Sequence, residues 1–339
     1  MKIYAFWNNK GGTGKTSLAF QALTRYAEQH PSEEILAADL CPQSNLSELL
    51  LGGLTGNGSN NLLSLHDGQI RKSVGGYFQT RLPRPYSAPN IEPNNYISQP
   101  HDFNSLIPEN IELLAGDPLL ELQSNAMATL ANTQIPGTNT WLAVVDWLND
   151  FLNSVEGRYN TVFIDANPSF AIYTQIALST ANRLVLPVMA DDSSRRALQN
   201  VFSLIYGIAL PSAIYTQFSF TTKLTEADRT LPKVHLIAKN RITQYMGSAS
   251  AYYTVLKSID SVVSDMMREM PDKFSFASLR DGMVEVRDFQ TTGVVAFAKG
   301  TPFSKLEPGY ATILGKRILV RKDYLNNCID AIDALAQKL

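Results

Sequence analysis

The chain has 339 residues, of which 45% are hydrophobic and 18% are charged, and its formal net charge is −2. This composition excludes a mostly disordered chain, which would combine few apolar residues with a high net charge. The two cysteines, Cys41 and Cys328, are too few for a disulfide framework or a four-cysteine metal site. Because the overall charge is nearly neutral, an electrostatic argument for nucleic-acid binding must come from local patches.

No targeting or membrane-spanning segment is predicted. The N-terminus lacks the long apolar core and the small-residue cleavage site of a secretory signal. The longest uncharged stretch, residues 201–222, contains Gly207, Pro211 and Gln217. Since these residues do not suit a membrane span, we expect a buried helix followed by a turn and a strand there. The sequence therefore predicts a cytoplasmic protein.

The first forty residues predict a strand, a loop, a helix and a second strand, in that order. Residues 2–8 form a short apolar run that is typical of a buried strand. Residues 16–27 repeat apolar side chains at helical spacing, and residues 35–39 are again a short apolar run. This order of elements is typical of a parallel α/β sheet.

Residues 52–108 interrupt this pattern. The segment is rich in Gly, Asn, Ser and Pro, and its hydrophobic periodicity is weak. A structureless loop of this length is unusual inside a compact domain, so the segment is either a functional excursion or partly disordered. We treat it as an insertion into a single domain that spans residues 1–339.

The α/β pattern returns after this insertion. Further strands are predicted at residues 111–114, 161–165, 183–188 and 233–239. Further helices are predicted at residues 141–152, from about residue 193, and at residues 324–335. The sequence thus predicts a doubly wound α/β fold with a mainly parallel sheet flanked by helices.

A glycine-rich segment, KGGTGKT at residues 10–16, lies between the first strand and the first helix and fits a phosphate-binding P-loop. Glycines let successive N–H groups converge on phosphate oxygens, and the helix N-terminus adds a partial positive charge. We expect Lys15 to bridge the β- and γ-phosphates and Thr16 to bind Mg²⁺. The predicted nucleotide-binding residues of the loop are Gly11, Gly12, Thr13, Gly14, Lys15, Thr16 and Ser17.

The segment departs from the standard P-loop, because Asn9 replaces the usual first glycine and a second lysine, Lys10, follows it. In this respect NNKGGTGKTS resembles the deviant Walker A box of the ParA/MinD family of P-loop ATPases, whose early lysine is its signature. The resemblance implies ATP and Mg²⁺ as ligands, slow ATP hydrolysis, catalytic roles for Lys10 and Lys15, and a homodimer that forms on ATP. Lys10 would then reach the nucleotide of the partner subunit. The resemblance covers residues 1–51 and 110–339 and leaves the insertion unexplained.

A second box, DLCPQSN at residues 39–45, resembles the next motif of that family. For Asp39 the resemblance implies a catalytic and Mg²⁺-associated role, with a helix N-cap or turn residue as the alternative. Cys41 stands where the family usually has a second Asp that is associated with the attacking water. A neutral thiol is a poor substitute for a carboxylate, and a phosphate-rich site disfavours the thiolate. Hydrolysis is therefore expected to be slow, to rely on Asp39, or to be absent.

Three further positions resemble the family's pattern. Asp165 ends the predicted strand TVFID and is followed by a Pro-containing segment, as in a Walker B segment, which implies that it holds Mg²⁺ through water. Asn240 matches the position at which the family binds adenine through an Asn amide. The segment at residues 297–302, which ends in Pro302, resembles the one that closes the adenine pocket. The last two are also consistent with ordinary turns.

The resemblance implies a partition function, in which an ATP-bound dimer binds DNA nonspecifically and meets a ParB-type partner, so the protein would associate with the nucleoid. Contacts to DNA phosphates require Lys or Arg. A solvated charged face is an equal alternative for each candidate. The candidates are Arg195, Arg196, Arg317, Arg321 and Lys322.

Two other functions remain open at this point. One is a positioning ATPase for protein cargo, with its specificity carried by residues 52–108. The other is an ATP-held dimeric switch that barely hydrolyses ATP because of Cys41. A membrane anchor is disfavoured, since residues 323–339 contain three Asp, one Lys and no Phe or Trp.

Overall fold

The computed structural model describes residues 1–87, 90–242 and 251–339. The strands in these residues are β1 (Lys2–Phe6), β2 (Ile35–Leu40), β3 (Ile97–Ser98), β4 (Ile111–Leu114), β5 (Thr161–Ala166), β6 (Arg183–Met189), β7 (Lys233–Ile242), β8 (Met283–Arg287), β9 (Gly309–Ile313) and β10 (Lys316–Val320). Eight of them form one sheet in the order β3-β4-β2-β5-β1-β6-β7-β8. Every neighbouring pair in this sheet is parallel except β3 with β4. Strands β9 and β10 form a separate antiparallel hairpin.

Helices connect the strands and cover the sheet. They are α1 (Lys15–Gln29), α2 (Asn45–Leu50), α3 (Gly58–His66), α4 (Val74–Arg81), α5 (Leu119–Asn132), α6 (Thr140–Val145), α7 (Trp147–Ser154), α8 (Ile172–Thr180), α9 (Asp192–Tyr206), α10 (Ala213–Gln217), α11 (Phe220–Glu226), α12 (Ala251–Glu269), α13 (Leu279–Gly282), α14 (Gln290–Lys299) and α15 (Lys322–Ala336). Short 3-10 helices lie at Pro93–Asn95, Pro100–Asp102, Pro271–Lys273 and Phe303–Lys305. Among the described residues, none of these helices combines the length and apolar character needed to cross a membrane.

The sheet is covered on both faces, and the first strand shows why. Successive side chains of a strand point to opposite faces of the sheet. Ile3, Ala5 and Trp7 pack in one buried cluster, and Tyr4 and Phe6 pack in the other. An apolar run without polar alternation therefore fills two cores at once, as is usual for a central parallel strand. This arrangement confirms the predicted doubly wound fold.

The predicted strands and helices are confirmed, with two differences. The helix predicted at residues 141–152 is present as two short helices, α6 and α7, that meet at Asp146. The strand predicted after the helix in residues 201–222 is wrong. Helix α9 ends at Tyr206, and the following residues form the short helices α10 and α11.

Residues 52–108 contain regular structure, except that residues 88 and 89 lie outside the described part of the chain. Helix α3 contributes Leu62 and Leu65 to one core cluster. Helix α4 contributes Tyr77 and Phe78 to the other, where Phe78 packs against Trp147 with ring centroids 5.5 Å apart. Because both cores include this segment, its deletion would expose buried apolar surface and destabilise the fold.

Candidate nucleotide-binding site

The glycine-rich loop joins β1 to α1. Gly12 and Gly14 have φ angles of +75° and +86°, which glycine adopts without strain. A Cβ atom on Gly14 would also overlap the side-chain amide of Asn240. Helix α1 begins at Lys15, so its first backbone N–H groups are available to a ligand in front of the loop.

A cavity of about 380 Å³ opens in front of this loop, at the carboxyl ends of β2 and β5. This is where ligands bind in open α/β sheets. Thr13, a predicted contact, is buried beneath the loop, where its carbonyl oxygen accepts a hydrogen bond from Asn240. The cavity is lined by Gly11, Gly12, Gly14, Lys15, Thr16, Ser17, Cys41, Gln43, Asn45, Ala166, Pro168 and Arg241.

Lys15 is a buried cation at this cavity. Its side chain is 7% exposed, and Nζ donates a hydrogen bond to the carbonyl oxygen of Lys10 at 3.1 Å. Burial lowers the pKa of the Lys15 ammonium, and nearby Asp165 acts in the opposite direction. A phosphate oxygen would supply the counter-charge that a buried ammonium requires.

Asp165 and Thr16 form a corner that fits Mg²⁺. The Thr16 hydroxyl donates to Oδ2 of Asp165 at 2.6 Å, whereas Oδ1 of Asp165 is buried without a hydrogen-bond partner. Burial and then the adjacent Asp39 raise the pKa of Asp165, so a cation here would stabilise both carboxylates. Mg²⁺ takes few carboxylates and keeps several waters. In keeping with this, no three His, Cys, Asp or Glu side chains form a metal site among the described residues.

Asp39 ends β2 and pairs in register with Asp165 on β5. Its carboxylate is fully buried and accepts three hydrogen bonds. Oδ2 accepts from the backbone N–H and the hydroxyl of Ser47 at 2.9 and 2.8 Å, and Oδ1 accepts from the N–H of Cys41 at 3.1 Å. Burial raises the pKa of Asp39, and these bonds oppose that shift. Its catalytic and Mg²⁺-associated role stays a prediction, for a carboxylate held in a fixed position beside Asp165.

Cys41 lies at the edge of the same cavity as a neutral thiol. It is 7% exposed, and its Sγ accepts a hydrogen bond from Nδ2 of Asn167 at 3.5 Å. Burial, with Asp39 and Asp165 nearby, raises the pKa of the thiol to about 12. The side chain at this position therefore carries no charge near neutral pH and cannot act as a carboxylate does.

Lys10 is held within its own subunit. Its Nζ lies 2.7 and 2.6 Å from the two carboxylate oxygens of Asp191 and 3.2 Å from the hydroxyl of Ser194. Asp191 caps α9 by accepting from the N–H of Ser194. Partial burial opposes the shift, but the hydrogen bonds from Lys10, Ser193 and Ser194 lower the pKa of Asp191 to about 2. The pair is therefore ionised at neutral pH.

A second cavity of about 360 Å³ adjoins the loop on the side of α14. Asn240 lines it but is 3% exposed, because its Nδ2 donates to Thr13 O at 2.9 Å and its Oδ1 accepts from the N–H of Arg241. The predicted adenine contact Pro302 lies elsewhere, in a small cleft with Gln21 and Thr24. The lining of the second cavity is Gly14, Ser17, Asn240, Arg241, Asp288, Phe289, Gln290, Gly293, Val294 and Phe297.

Residues 1–212, well over half of the chain, match the family model described as an AAA domain. This chain belongs to that family and is a P-loop ATPase of the ParA/MinD type. The cell division protein PomZ of Myxococcus xanthus is 29% identical over 203 residues, which cover 60% of this chain and 51% of that protein. The virulence plasmid ParA family protein pGP5-D of Chlamydia psittaci is 24% identical over 202 residues, which cover 59% and 62%. The chain thus spans about half to three fifths of these curated relatives.

Solved structures share the fold of this ParA/MinD-type chain. Apo McdA of Cyanothece has a TM-score of 0.61 at 15% identity and covers 99% of both chains. A plasmid partition protein of Borrelia burgdorferi B31 bound to AMPPNP has a TM-score of 0.55 at 14% identity, over 100% of this chain and 99% of that one. At these identities the likeness shows the fold alone.

The basic candidates of this ParA/MinD-type chain fall on two elements. Arg195 and Arg196 lie on the first turns of α9, where both pair with Asp192. Arg317 lies on β10, with its guanidinium 4.4 Å from the ring centroid of Tyr310. Arg321 and Lys322 follow at the start of α15, where Arg321 pairs with Asp323 at 2.6 Å. The structure therefore does not join the five residues into one patch by direct contacts.

Several residues at the site were not found from the sequence. Asp191 lies 181 residues after Lys10 in the chain, and no spacing rule connects them. Gln290 and Val294 enter the second cavity from α14, which was not predicted. Phe297 was included only as the first residue of the segment that ends in Pro302. These contacts depend on how the elements pack.

Proposed function

We propose that this chain is an ATP-dependent, dimerising ATPase that partitions DNA, either a plasmid or a chromosome. The corner formed by Lys15, Thr16 and Asp165 beside the phosphate cavity carries the proposal. Backbone N–H groups of the loop and the Lys15 ammonium would hold the phosphates of ATP. Thr16 and Asp165 would hold Mg²⁺, which neutralises charge on the β- and γ-phosphate oxygens when it is bound.

The dimer is supported by the family and by the position of Lys10 at the rim of the loop. In the free subunit Lys10 is bound to Asp191. A lysine that reaches the nucleotide of a partner must first leave this carboxylate. The ion pair therefore opposes dimer formation, by an amount limited by its partial exposure.

Changes at this ion pair are expected to alter dimerisation more than ATP binding. Lys10→Ala should leave the Kd of the monomer for ATP within about twofold and prevent ATP-dependent dimerisation, because it removes the bridging cation. Asp191→Asn should tighten the dimer by about two- to fivefold, since it weakens the competing contact while Asn still caps α9. Sedimentation velocity with and without Mg-ATP measures both effects.

Asp192→Asn is the matched control, because Asp192 pairs with Arg195 and Arg196 rather than with Lys10. It should dimerise as the wild-type protein does. Equal ATP-dependent dimerisation of Lys10→Ala and the wild-type protein would contradict the role of Lys10 across the dimer.

DNA binding is proposed for the β9–β10 hairpin and the start of α15. Arg317 lies on the outward face of the hairpin with the exposed residues Tyr310 and Leu319. Lys322 and Arg321 continue the positive charge beyond β10. By contrast, both arginines of α9 share a neighbouring carboxylate, which reduces their attraction for phosphate.

The test of this function is the salt dependence of DNA binding by the ATP-bound protein. The double variant Arg317→Gln, Lys322→Gln should bind duplex DNA of any sequence more weakly and should reduce the salt slope by about two, one for each lost phosphate contact. The matched control is Arg195→Gln, Arg196→Gln, which should retain the wild-type slope. Fluorescence anisotropy between low and moderate salt measures both. Wild-type protein that binds no DNA with ATP would contradict the partition function, and a slope lost only in the control would move the contact to α9.

A ParB-type partner protein and association with the nucleoid form part of the same proposal. Both follow from the partition function that the family supports. Positioning of a protein cargo is the related alternative, and it has some support in the exposed apolar side chains Leu54, Leu63 and Ile70 on residues 52–108. Exposed apolar groups of this kind favour contact with protein over contact with DNA.

A second candidate function is an ATP-held dimeric switch with little hydrolysis. The neutral Cys41 thiol favours it, because no carboxylate occupies the position at which the family usually has one. Under this hypothesis the protein binds ATP and dimerises, but turnover stays near background until another factor acts. The cysteine variant argued in the Discussion distinguishes the two candidates.

A further inference from the structure

Ser47 holds Asp39 in place and connects it to a second segment. Its N–H and its hydroxyl both donate to Oδ2 of Asp39, and its hydroxyl oxygen accepts the N–H of Gly116 at 2.8 Å. Ser47 is itself fully buried. The position of the Asp39 carboxylate is thus tied to the backbone that follows β4.

That backbone lies directly against Asp39. A Cβ atom on Gly116 would come within 2.8 Å of the Asp39 Cγ and within 2.7 Å of the Ser44 hydroxyl. Real Cβ atoms do not make contacts this short, so the close approach requires glycine. A shift of the backbone at residue 116 would therefore move Asp39 or break its bond to Ser47.

Residues 52–108 reach the same backbone through His66, the last residue of α3. The Nε2 atom of His66 lies 3.0 Å from the carbonyl oxygen of Gly116. A carbonyl only accepts hydrogen bonds, so Nε2 carries the proton. The ring is buried, and burial lowers the pKa of His66, which keeps it neutral.

A second contact from residues 52–108 fixes the neighbouring Asp117. Arg71 donates from Nε and Nη2 to its two carboxylate oxygens at 2.6 and 2.8 Å, and Ser73 donates through its hydroxyl. The backbone N–H of Val74 also donates to the carbonyl oxygen of Ala115 at 2.8 Å. Residues 115–117 are therefore held on one side by residues 66–74 and on the other by Ser47.

The same segment also contacts the far end of the site. Thr55 donates through its N–H to the carbonyl oxygen of Ala298 at 2.8 Å, and Asn104 donates through Nδ2 to the carbonyl oxygen of Gly300 at 2.8 Å. Both acceptors lie at the end of α14, which lines the second cavity. Residues 52–108 thus contact the structures at both ends of the nucleotide site.

We propose that residues 52–108 position Asp39 for Mg-ATP through the hydrogen-bonded chain His66–Gly116–Ser47–Asp39, in which Ser47 is the positioning residue. The inference rests on the proposed ATP-binding function. Binding of Mg-ATP at Asp165 brings a cation beside Asp39, and the carboxylate assists only if it is held in place. A partner that moves α3 would then change Mg-ATP binding without contacting the nucleotide.

The test compares ATP affinity with Mg²⁺ and with EDTA, measured by equilibrium dialysis. Ser47→Ala and His66→Leu should each reduce the enhancement of affinity by Mg²⁺ about tenfold, and should leave the Kd in EDTA within about twofold. Ser47→Thr and His66→Gln keep a donor at the same place and should retain the wild-type ratio. His101→Leu is the matched control, since His101 also hydrogen-bonds to a backbone carbonyl within residues 52–108 but does not touch Gly116.

Amide hydrogen exchange in the nucleotide-free protein gives a readout that does not depend on activity. Exchange at residues 44–48 and 115–117 should be faster in His66→Leu than in His101→Leu. If His66→Leu does not fold, Ser47→Ala against Ser47→Thr makes the same comparison. An unchanged Mg²⁺ enhancement in the alanine and leucine variants would overturn this inference alone. Failure of the wild-type protein to bind ATP would overturn the proposed function and this inference with it.

Discussion

Lys15→Ala is expected to weaken ATP binding by about 100-fold or more. The Lys15 ammonium would make two charge-assisted hydrogen bonds to phosphate oxygens, each of which contributes about 1.5–3 kcal/mol. Because the loop glycines and the start of α1 remain, the phosphate site itself should persist. Isothermal titration of the nucleotide-free protein with Mg-ATP measures the loss.

This variant should not lose stability in the absence of ATP. Lys15 is buried with a backbone carbonyl as its hydrogen-bond acceptor, and such a buried ammonium costs free energy in the empty site. Lys223→Ala is the matched control, because burial also lowers the pKa of Lys223, which lies on α11 over the ring of Trp141. The control should bind ATP normally, whereas retained affinity in Lys15→Ala would remove the lysine from the phosphate site.

Much of the fold could be predicted because the central strands are buried on both faces. Strands β1, β2, β5, β6 and β7 each form a short run that is almost entirely buried, and such runs are visible in the sequence. The edge strand β8 was missed, since its side chains alternate between buried and exposed positions within five residues. A pattern this short does not distinguish a strand from a loop.

The error in residues 207–222 has a different cause. The segment contains Ile214, Tyr215 and Phe218, residue types that favour strands. In the structure all three are exposed on or beside the short helix α10. Their apolar character therefore reports no core face, and the local caps decide the conformation instead. Ser219, whose side chain accepts the N–H of Thr222, begins α11.

Helix α4 shows how packing overrides local preference. Gly75 and Gly76 are poor helix formers, and they made residues 52–108 look irregular in the sequence. In the structure a Cβ atom on Gly75 would lie 2.6 Å from the carboxyl group of Asp117, and one on Gly76 would overlap the carbonyl oxygen of Arg71. The glycines are required by these close approaches, which the sequence does not reveal.

The candidate site divides in the same way between local and distant contacts. The loop and the corner of Thr16 and Asp165 follow from motifs at the ends of adjacent strands, so their proximity was predictable. The Asp191 partner of Lys10 and the α14 side of the second cavity depend on elements far apart in the chain. Family resemblance located the segment near Pro302, but packing places Phe297 at the cavity and Pro302 elsewhere.

Cys41 is the position at which the chemistry of this chain departs furthest from the family's pattern. The thiol is buried next to two carboxylates, which disfavour a further negative charge. A neutral residue here lessens the repulsion around Asp39 and Asp165 in the nucleotide-free protein. The expected cost is the loss of a group that orients or deprotonates the attacking water. This exchange of hydrolysis for stability is what the last prediction tests.

Cys41→Asp is expected to raise ATP turnover by about tenfold to 100-fold, in the range that a positioned general base contributes. The same change should lower the thermal midpoint without nucleotide, because it places a third carboxylate beside Asp39 and Asp165. Mg-ATP should restore most of that loss, since it brings cations to the cluster. Phosphate release under saturating Mg-ATP and thermal unfolding with and without Mg-ATP measure the two effects.

Cys41→Asn is the control, because it has the shape of Asp without the charge. If turnover rises in Cys41→Asp but not in Cys41→Asn, the wild-type thiol limits hydrolysis and the chain is an ATP-held switch that needs another factor for release. If wild-type turnover is already measurable and DNA raises it, the partition function holds, and Asp39 or a water held by the neighbouring side chains must serve in place of the missing carboxylate. Equal turnover in the wild-type protein and both variants would show that residue 41 takes no part in hydrolysis.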